Sequence, residues 1–477
     1  MKITKRILSL ALVLMLVLSL ATTAFAADGT TGTIVNSTDR AYKAYQIFSG
    51  TQAKDDSVLG AVAWGSGINS TAFLNALKSD STCGTVFSTC ATPADVAGKL
   101  SSEQNNSAVA KAFANVASKH LTTTAVDIPA NQTKTLASGY YLLMDQTNVA
   151  DKEMAKNPAL LQITNGSNLA ITEKYGIPQI EKAVTGAEKD FSIGDEVTFT
   201  LTATMPNTVE GYEAYKIVFH DTLSSGLTYV DGSATVTVAG SAKTGSFTVT
   251  PSGNSLTISC ADVLPLGATA SSAIVVTYKA KLNANAVIGT NGNSNKVKLE
   301  FSNDPNGTGT GMTTEKEVKV YTWEIPVFKY TKGEGDAKNP LEGAGFELYS
   351  GDKQIKFTKG DGNIYKVDPN GAVTEIITDG TGKFEIEGLA QGSYTLKEKT
   401  VPAGYNKCDD VTVVIGANGE LTQNGTATTE VGIQNNAGST LPETGGVGTT
   451  MFYIFGSVMV LAAVVLLVTK KRMASAE

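Results

Sequence analysis

Cysteine is scarce in this sequence, with four residues in a chain of 477. Small secreted domains that depend on disulfides are far denser in cysteine, so this scarcity excludes a disulfide framework. Cys83 and Cys90 are close enough in sequence to form one local disulfide, whereas Cys260 and Cys408 lie far apart. If the domains face harsh conditions, something other than disulfides has to stabilise them.

Arginine and histidine are also nearly absent. The only arginines are Arg6, Arg40 and Arg472, and the chain has two histidines. The net charge of −7 and the lack of a basic patch exclude nucleic acid as a partner. His220 lies next to Asp221, but with two histidines and no nucleophile motif the sequence does not predict a surface enzyme. We expect no cofactor and no metal site.

The residues that are abundant favour β-structure outside the cell. Charged residues make up 17% of the chain, and threonine, serine, asparagine and glycine are frequent. This balance is more typical of β-rich extracellular domains than of helical cytosolic ones. The length is sufficient for about two to four domains of roughly 100–200 residues each.

The N-terminus has the three parts of a secretory signal peptide. Lys2, Lys5 and Arg6 form a basic start, residues 7–20 are apolar, and residues 24–26 read Ala-Phe-Ala. Small residues in this spacing are typical of a cleavage site, so we expect residues 1–26 to be removed after export.

The C-terminus has the composition of a membrane anchor. Residues 451–469 are apolar and long enough to cross the hydrocarbon core of a bilayer. Lys470, Lys471 and Arg472 follow, and positive flanks of this kind stay on the cytoplasmic side. The sequence therefore predicts an exported chain whose last helix stops in the membrane.

The segment directly before this helix reads LPETG. An LPXTG motif, an apolar helix and a short basic tail, here over residues 439–477, resemble the cell-wall sorting signal of Gram-positive surface proteins. The resemblance implies that a sortase cleaves between Thr444 and Gly445, holds the Thr444 carbonyl as a thioester, and passes it to an amine. Pro442 favours an extended approach to an enzyme groove. The recognised residues are Leu441, Pro442, Glu443, Thr444 and Gly445.

Hydrophobic patterning divides the rest of the chain into three predicted domains. Residues 27–175 combine strand-like segments with helical spacing at residues 70–79 and 95–121, which predicts a mixed α+β domain. Residues 176–322 contain short alternating segments separated by turns, as in an immunoglobulin-like sandwich. Residues 323–438 repeat this style in a smaller unit. The predicted fold class is therefore mainly β, with tandem immunoglobulin-like sandwiches, a signal peptide and a C-terminal transmembrane helix.

Three polar residues continue apolar faces in residues 323–438. Lys329, Glu398 and Asn435 each alternate with apolar neighbours at period two, so each is expected to point inward. Burying a lone lysine is costly unless it loses its charge or finds a partner. A neutral Lys329 amine could attack the Asn435 side-chain carbon, release ammonia and form an isopeptide bond, with Glu398 polarising the carbonyl and shuttling protons. Alternatively, all three side chains are solvated.

Two segments of this domain resemble the Cna B-type domains of Gram-positive pilins. These are PLEGAGFELY and YTLKEKTVPAGY. The second matches the E-box of that family, Y-x-L-x-E-T-x-A-P-x-G-Y, with Lys399 and Val401 as departures. The resemblance implies that Glu398 is the catalytic acid of isopeptide formation. It places the lysine at Lys329, with Lys332 as the alternative, and the asparagine at Asn435, with Asn436 as the alternative.

Residues 176–322 repeat this pattern. Lys182 alternates with apolar residues in IPQIEKAV. KIVFHDTLSSGLTYV and NSNKVKLEFSNDP resemble the acidic segment and the closing strand of the second pilin domain, which implies that Asp221 is the catalytic acid. Asn295 and Asn303 share one face of the closing strand, and we predict Asn303 as the bonded residue, with Asn295 as the alternative.

One further lysine is needed to accept the Thr444 acyl group. NLAITEKYGIPQIEKAV resembles the pilin-motif region, in which a lysine receives the preceding subunit, and the match falls on Lys174. The segment departs from that motif because it lacks a YPK sequence and a nearby upstream tryptophan. An ordinary exposed linker lysine remains the alternative.

The N-terminal domain resembles that of shaft pilins in AYKAYQIFSG, WGSG and GYYLLMDQ, so the resemblance to sortase-assembled backbone pilins covers nearly the whole chain. It implies a structural subunit that is not an enzyme, located at the cell surface in a wall-anchored pilus that functions in adhesion. The implied partners are pilin-class and housekeeping sortases, other copies of the chain joined head to tail, minor pilins and peptidoglycan. The alternative is a monomeric or basal wall-anchored adhesin that does not polymerise.

Overall fold

The computed structural model describes residues 31–52, 59–164, 168–186, 189–439 and 447–473. The predicted signal peptide at residues 1–26 and the LPETG segment at residues 441–445 lie outside these described residues. In the described part the strands form six sheets, two in each of three consecutive units. We call these the first unit (residues 31–170), the middle unit (residues 179–320) and the third unit (residues 323–435). The domain boundaries after residues 175 and 322 remain predictions.

The first unit combines a three-stranded sheet, a five-stranded sheet and four helices. The helical spacing at residues 95–121 is interrupted in the structure at residues 101–107, so it produces two helices. The first of them begins at a capping box in which Thr92 and Asp95 satisfy each other's backbone amides. The elements are β1 Thr31–Asn36, β2 Tyr42–Gln52, β3 Leu59–Trp64, α1 Ser70–Ser79, α2 Gly84–Phe87, α3 Pro93–Leu100, α4 Ala108–Ser118, β4 Val126–Ile128, β5 Gln132–Ala137, β6 Gly139–Asp145, β7 Leu160–Thr164 and β8 Asn168–Ala170.

The middle unit is a sandwich of two six-stranded sheets. Its core follows the alternation of side chains along each strand. In the second strand every other residue from Val197 to Ala203 is fully buried, whereas the threonines between them are not. The strands are β9 Gln179–Val184, β10 Glu196–Thr204, β11 Ile217–Leu223, β12 Leu227–Tyr229, β13 Thr235–Val238, β14 Ser241–Ala242, β15 Thr248–Ser252, β16 Ser255–Cys260, β17 Ala273–Leu282, β18 Asn293–Ser302, β19 Thr310–Met312 and β20 Lys316–Val320.

The third unit is a smaller sandwich in which the first and last strands, β21 and β33, are parallel neighbours. The strands are β21 Trp323–Lys332, β22 Lys338–Pro340, β23 Gly345–Ser350, β24 Lys353–Gln354, β25 Phe357–Lys359, β26 Ile364–Val367, β27 Ile376–Ile377, β28 Lys383–Leu389, β29 Gly392–Thr400, β30 Val411–Ile415, β31 Leu421–Gln423, β32 Thr426–Thr428 and β33 Val431–Asn435. The predicted class of mainly β structure with a mixed first unit is confirmed.

The middle and third units share one continuous apolar core. At their junction the Ile193 amide donates to the Gly388 carbonyl at 2.9 Å. Gly388 has a φ of +90°, and a Cβ there would lie 2.5 Å from the Ile193 side chain, so the close approach of the two units requires glycine at this position.

The C-terminal helix α5, Val447–Met473, is separate from these cores. Its segment Thr450–Met473 is long and apolar enough to cross a membrane, and none of it is buried against the rest of the protein. Its last turn carries Lys470, Lys471 and Arg472. This arrangement agrees with the predicted single membrane anchor.

Candidate cross-linking sites and acceptor lysine

The third unit brings Lys329, Asn435 and Glu398 together in its interior. Lys329 and Asn435 lie on the parallel neighbours β21 and β33, where Thr331 pairs with Asn435, so their inward side chains are close. The Lys329 amine contacts the Asn435 side-chain oxygen. Glu398 reaches them from β29 in the opposite sheet. Its Oε1 accepts from Asn435 Nδ2 at 2.7 Å and lies 3.3 Å from Lys329 Nζ.

The three side chains of this cluster are almost completely buried. Lys329, Glu398 and Asn435 are at most 1% exposed. The Phe346 ring lies 5.3 Å from the Lys329 nitrogen. Burial lowers the pKa of Lys329, which favours the neutral amine. The arrangement places a weakened base, an amide and a carboxyl in contact, as attack of an amine on an amide requires. The alternatives Lys332 and Asn436 are both exposed.

Cys408 completes the third-unit cluster and was missed by the sequence analysis. Its backbone N–H donates to Glu398 Oε2 at 2.8 Å, which leaves the other carboxyl oxygen directed at Lys329 and Asn435. Burial raises the pKa of the Cys408 thiol to about 11, so the thiol stays protonated at neutral pH. Cys408 lies outside the strands, where no periodicity predicts the direction of a side chain.

A second buried cluster lies in the middle unit. The Lys182 amine, on β9, contacts an Asp221 carboxyl oxygen, on β11. The Tyr278 hydroxyl, on β17, donates to the other Asp221 oxygen at 2.7 Å and accepts from Asn295 Nδ2, on β18, at 2.6 Å. Lys182 Nζ lies 3.3 Å from the same hydroxyl. Tyr278 therefore joins the lysine, the acid and Asn295 in one hydrogen-bonded group.

Burial moves both ionisable groups of this cluster toward their neutral forms. It lowers the pKa of Lys182 to about 8, against the opposing effect of the Asp221 charge. It raises the pKa of Asp221. Within the described residues, the Asn295 side-chain oxygen is buried without a hydrogen-bond partner. An amine and a carboxyl that burial shifts toward their neutral forms, together with an unengaged amide carbonyl, are the groups that transamidation uses.

Asn303, the predicted partner of Lys182, is placed elsewhere. Its Nδ2 donates to the carbonyl oxygens of Val149 at 2.5 Å and Met154 at 3.1 Å, both in the first unit. This prediction disagrees with the structure. Asn295 and Asn303 share a face but are eight residues apart, roughly 26 Å along an extended strand, and alternation alone cannot choose between them. Only the pairing of β18 with β11, in which Asn295 lies opposite Leu223, brings Asn295 to the lysine end.

Tyr278 could have been found from the sequence. In AIVVTYKAKL the residues Ile274, Val276, Tyr278 and Ala280 alternate inward, and all four are fully buried. A hydroxyl at such a position requires a buried partner. An inward tyrosine in this strand pattern therefore predicts a buried polar cluster.

Lys174 lies in the segment that connects the first and middle units and is exposed. It borders a cleft of about 250 Å³ whose wall includes Tyr140, Leu161 and Ala114. Its backbone N–H donates to Asn157 Oδ1 at 2.5 Å. The side chain is thus accessible while its main chain is anchored.

The local disulfide considered for Cys83 and Cys90 is not present in the structure, which holds all four cysteines as free thiols. Cys83 precedes α2 and Cys90 follows it, and both pack into the apolar core of the first unit. Burial raises the pKa of Cys83 to about 12 and also raises that of Cys90, which suits inert core thiols.

Comparison with known proteins assigns family descriptions to three parts of the chain. Residues 193–305 match the Gram-positive pilin backbone subunit 2, Cna-B-like domain. Residues 327–429 match the SpaA prealbumin-like fold domain. Residues 433–475 match the LPXTG cell wall anchor motif. The two β-sandwich matches include Asp221 and Glu398, respectively.

Two matches, one to a sequence and one to a solved structure, come from Streptococcus pyogenes serotype M6. The trypsin-resistant surface T6 protein is 25% identical over 315 residues, which cover 60% of this chain and 55% of that protein. The chain thus spans about half the length of this curated relative. The solved structure of the T6 backbone pilin, which has a modular three-domain structure, shares the fold with a TM-score of 0.52 at 18% identity, covering 81% of this chain and 80% of that one.

The fold, the sandwich domains and the C-terminal anchor agree with one another. The chain carries the domain types of the Gram-positive backbone pilins together with an LPXTG cell wall anchor.

Proposed function

We propose that this chain is the backbone subunit of a covalently polymerised pilus on a Gram-positive cell surface. The observation that carries the proposal is the presence of a pilin backbone domain and an LPXTG anchor in one chain. The exposed position of Lys174 between two units supports it, because an acceptor lysine must be reachable by a second protein.

In the proposed reaction a pilin-class sortase cleaves between Thr444 and Gly445. The Lys174 amine of another copy then attacks the Thr444 carbonyl, so that each subunit donates at one end and accepts at the other. Such a head-to-tail contact is heterologous and does not close, and it therefore produces a fibre. Minor pilins would join the same fibre, and a housekeeping sortase would transfer its base to peptidoglycan.

Two internal cross-links would stabilise each subunit. In the third unit the Lys329 amine replaces the Asn435 side-chain nitrogen, which leaves as ammonia, while Glu398 transfers the proton. In the middle unit Lys182 and Asn295 react in the same way beside Asp221 and Tyr278. The buried contacts of both clusters support this chemistry. A cross-link of this kind restrains the unfolded chain as a disulfide does, but reduction cannot open it.

Tandem mass spectrometry of purified fibres tests the polymer directly. We expect a branched peptide in which Thr444 is joined to the Lys174 side chain, because the sortase leaves the threonine carbonyl on the acceptor amine. Fibres joined through another lysine would contradict the choice of acceptor. Material that stays monomeric, with Thr444 joined only to peptidoglycan, would favour the wall-anchored adhesin instead.

Intact mass tests the two internal bonds. Each bond removes one ammonia, so the mature chain should be lighter than its sequence by about 34 Da, or about 17 Da per bond. Asn295→Ala should remove one bond and its mass difference. Asn303→Ala is the matched control on the same strand face and should leave both bonds. Loss of a bond in Asn303→Ala but not in Asn295→Ala would refute the assignment from the structure.

A further inference from the structure

A buried polar network in the first unit ends at the acceptor segment. Its centre is Arg40, the only arginine between residues 7 and 471, and this side chain is 2% exposed. Arg40 Nη1 lies 2.8 Å from Asp145 Oδ2 and donates to the Ala155 carbonyl at 2.9 Å. This buried guanidinium lies beside residues 173 and 175, in the segment that connects the first and middle units.

Asn157 connects this ion pair to the acceptor lysine. It is fully buried, and its N–H and Nδ2 donate to Asp145 Oδ2 at 2.9 and 3.1 Å. Nδ2 also donates to the Tyr42 hydroxyl at 2.9 Å. The remaining oxygen, Oδ1, accepts the backbone N–H of Lys174. Every polar atom of the Asn157 amide is therefore engaged, which determines its orientation.

The two neighbours of Lys174 contact the same guanidinium. Glu173 Oε1 lies 3.3 Å from Arg40 Nε. The Tyr175 ring centre lies 3.8 Å from Arg40 Cζ, within the range of a cation–π contact. Three consecutive residues are thus held by one network, while the Lys174 side chain itself is exposed.

The network keeps its charges at neutral pH. Burial alone would favour the protonated form of Asp145, but hydrogen bonds from Asn157 and Thr147 outweigh it and lower the pKa of this carboxyl. The Arg40–Asp145 pair therefore remains ionic, with Arg40 Nη1 shared between Asp145 and the Ala155 carbonyl, while Nη2 is buried without a hydrogen-bond partner within the described residues.

We propose that Arg40, Asp145 and Asn157, together with the Tyr175 ring that lies against the Arg40 guanidinium, are positioning residues for the transfer reaction. They hold residues 173–175 so that the Lys174 amine projects toward the sortase thioester. This proposal rests on the proposed function, in which the Lys174 nitrogen bonds to the Thr444 carbonyl carbon, the carbon–sulfur bond breaks, and the enzyme sulfur leaves with the amine proton. Transfer depends on this geometry, since a misplacement of about 1 Å can cost roughly a hundredfold in rate.

The test uses Tyr175, because Arg40→Met leaves Asp145 buried without its cation and is expected to destabilise the whole first unit. Tyr175 is 40% exposed, so its loss should not unfold the protein. In cells that carry the variant as their only copy, Tyr175→Ala should slow the appearance of covalent dimers at least about tenfold in a pulse-chase. Tyr175→Phe keeps the ring over Arg40 and should restore most of the rate.

Tyr349→Ala is the matched control, because it removes a comparable contact in the third unit, where Lys397 Nζ lies 4.7 Å from the Tyr349 ring centre. This variant should polymerise normally.

Hydrogen exchange on the full chain in detergent gives a second measurement. The Lys174 amide should exchange faster in Tyr175→Ala, with an unchanged melting temperature, and slowly in Tyr175→Phe.

Dimer formation at the wild-type rate in Tyr175→Ala would overturn the positioning role. Equal loss of rate in Tyr349→Ala would also overturn it, because the effect would then not be specific to the acceptor segment. Polymer that persists in Lys174→Ala would instead show that the acceptor itself is wrong, and so the two failures are distinguishable.

Discussion

Replacing Lys174 with alanine should abolish the ladder of high-mass species that a covalent polymer gives on denaturing gels. The expected loss is complete, because without the acceptor amine the acyl-enzyme can transfer Thr444 only to peptidoglycan or water. The measurement is an immunoblot of cell-wall extracts from cells that carry the variant as their only copy. Monomer should accumulate at the wall, since the sorting signal is unchanged.

Lys189→Ala provides the matched control for this experiment. Lys189 is another exposed lysine close to the start of the middle unit, and its loss removes the same charge. Its ladder should equal that of the wild type. A ladder that survives in Lys174→Ala would reject the acceptor assignment, and the absence of a ladder in the wild type would reject the backbone-pilin proposal in favour of a monomeric adhesin.

Asn435→Ala should cause the largest loss of stability. The bond between Lys329 and Asn435 would close a loop with a sequence separation of 106 residues. Closure of a loop of about 100 residues is worth about 4.7 kcal/mol in a chain-entropy account. The variant also leaves Lys329 buried with fewer partners. For a unit of this size, about 5 kcal/mol corresponds to a fall of roughly 20–40 °C in the third-unit transition measured by calorimetry.

Asn436→Ala serves as the control, because this neighbour is exposed. It should keep the same ammonia deficit relative to its own sequence mass, and the same transition, as the wild type. Reducing agent should also leave the wild-type transition unchanged, since the four cysteines are free thiols. An unchanged transition in Asn435→Ala would mean that no cross-link supports the third unit.

Alternation in the strands was sufficient to predict much of the candidate chemistry. Lys329, Glu398 and Asn435 each continue an apolar face, and the structure places all three in one interior. Lys182 and Asp221 followed from the same pattern and from the resemblance to pilins, and they are in contact. Period two determines which face a residue occupies, and in a two-sheet sandwich the inward faces meet.

The same pattern could not determine position along a strand. Asn295 and Asn303 are equivalent by alternation, and only the register of β18 against β11 separates them. Helical spacing was also too coarse a signal to give the ends of the helices, because residues 101–107 separate two helices within the stretch 95–121. Register and breaks depend on pairing between distant segments, which a single sequence does not display.

The network around Arg40 was beyond prediction for another reason. Arg40 is 105 residues away from Asp145 in the sequence, and the two come together with Asn157 only when the first unit is folded. Composition indicated that arginine is rare but not that Arg40 is buried beside the acceptor segment. Long-range polar contacts of this kind carry no local periodicity.

The parallel pairing of β21 and β33 has a mechanical consequence. In a head-to-tail fibre, tension enters the third unit near Trp323 and leaves it after Asn435, at two neighbouring strands. With the Lys329–Asn435 bond in place, the load crosses directly from one strand to the other, and the chain between them carries none. Without the bond, unravelling would release roughly 350 Å of slack per subunit, at about 3.3 Å for each extended residue. The cross-link would therefore keep the length of the fibre nearly constant under tension.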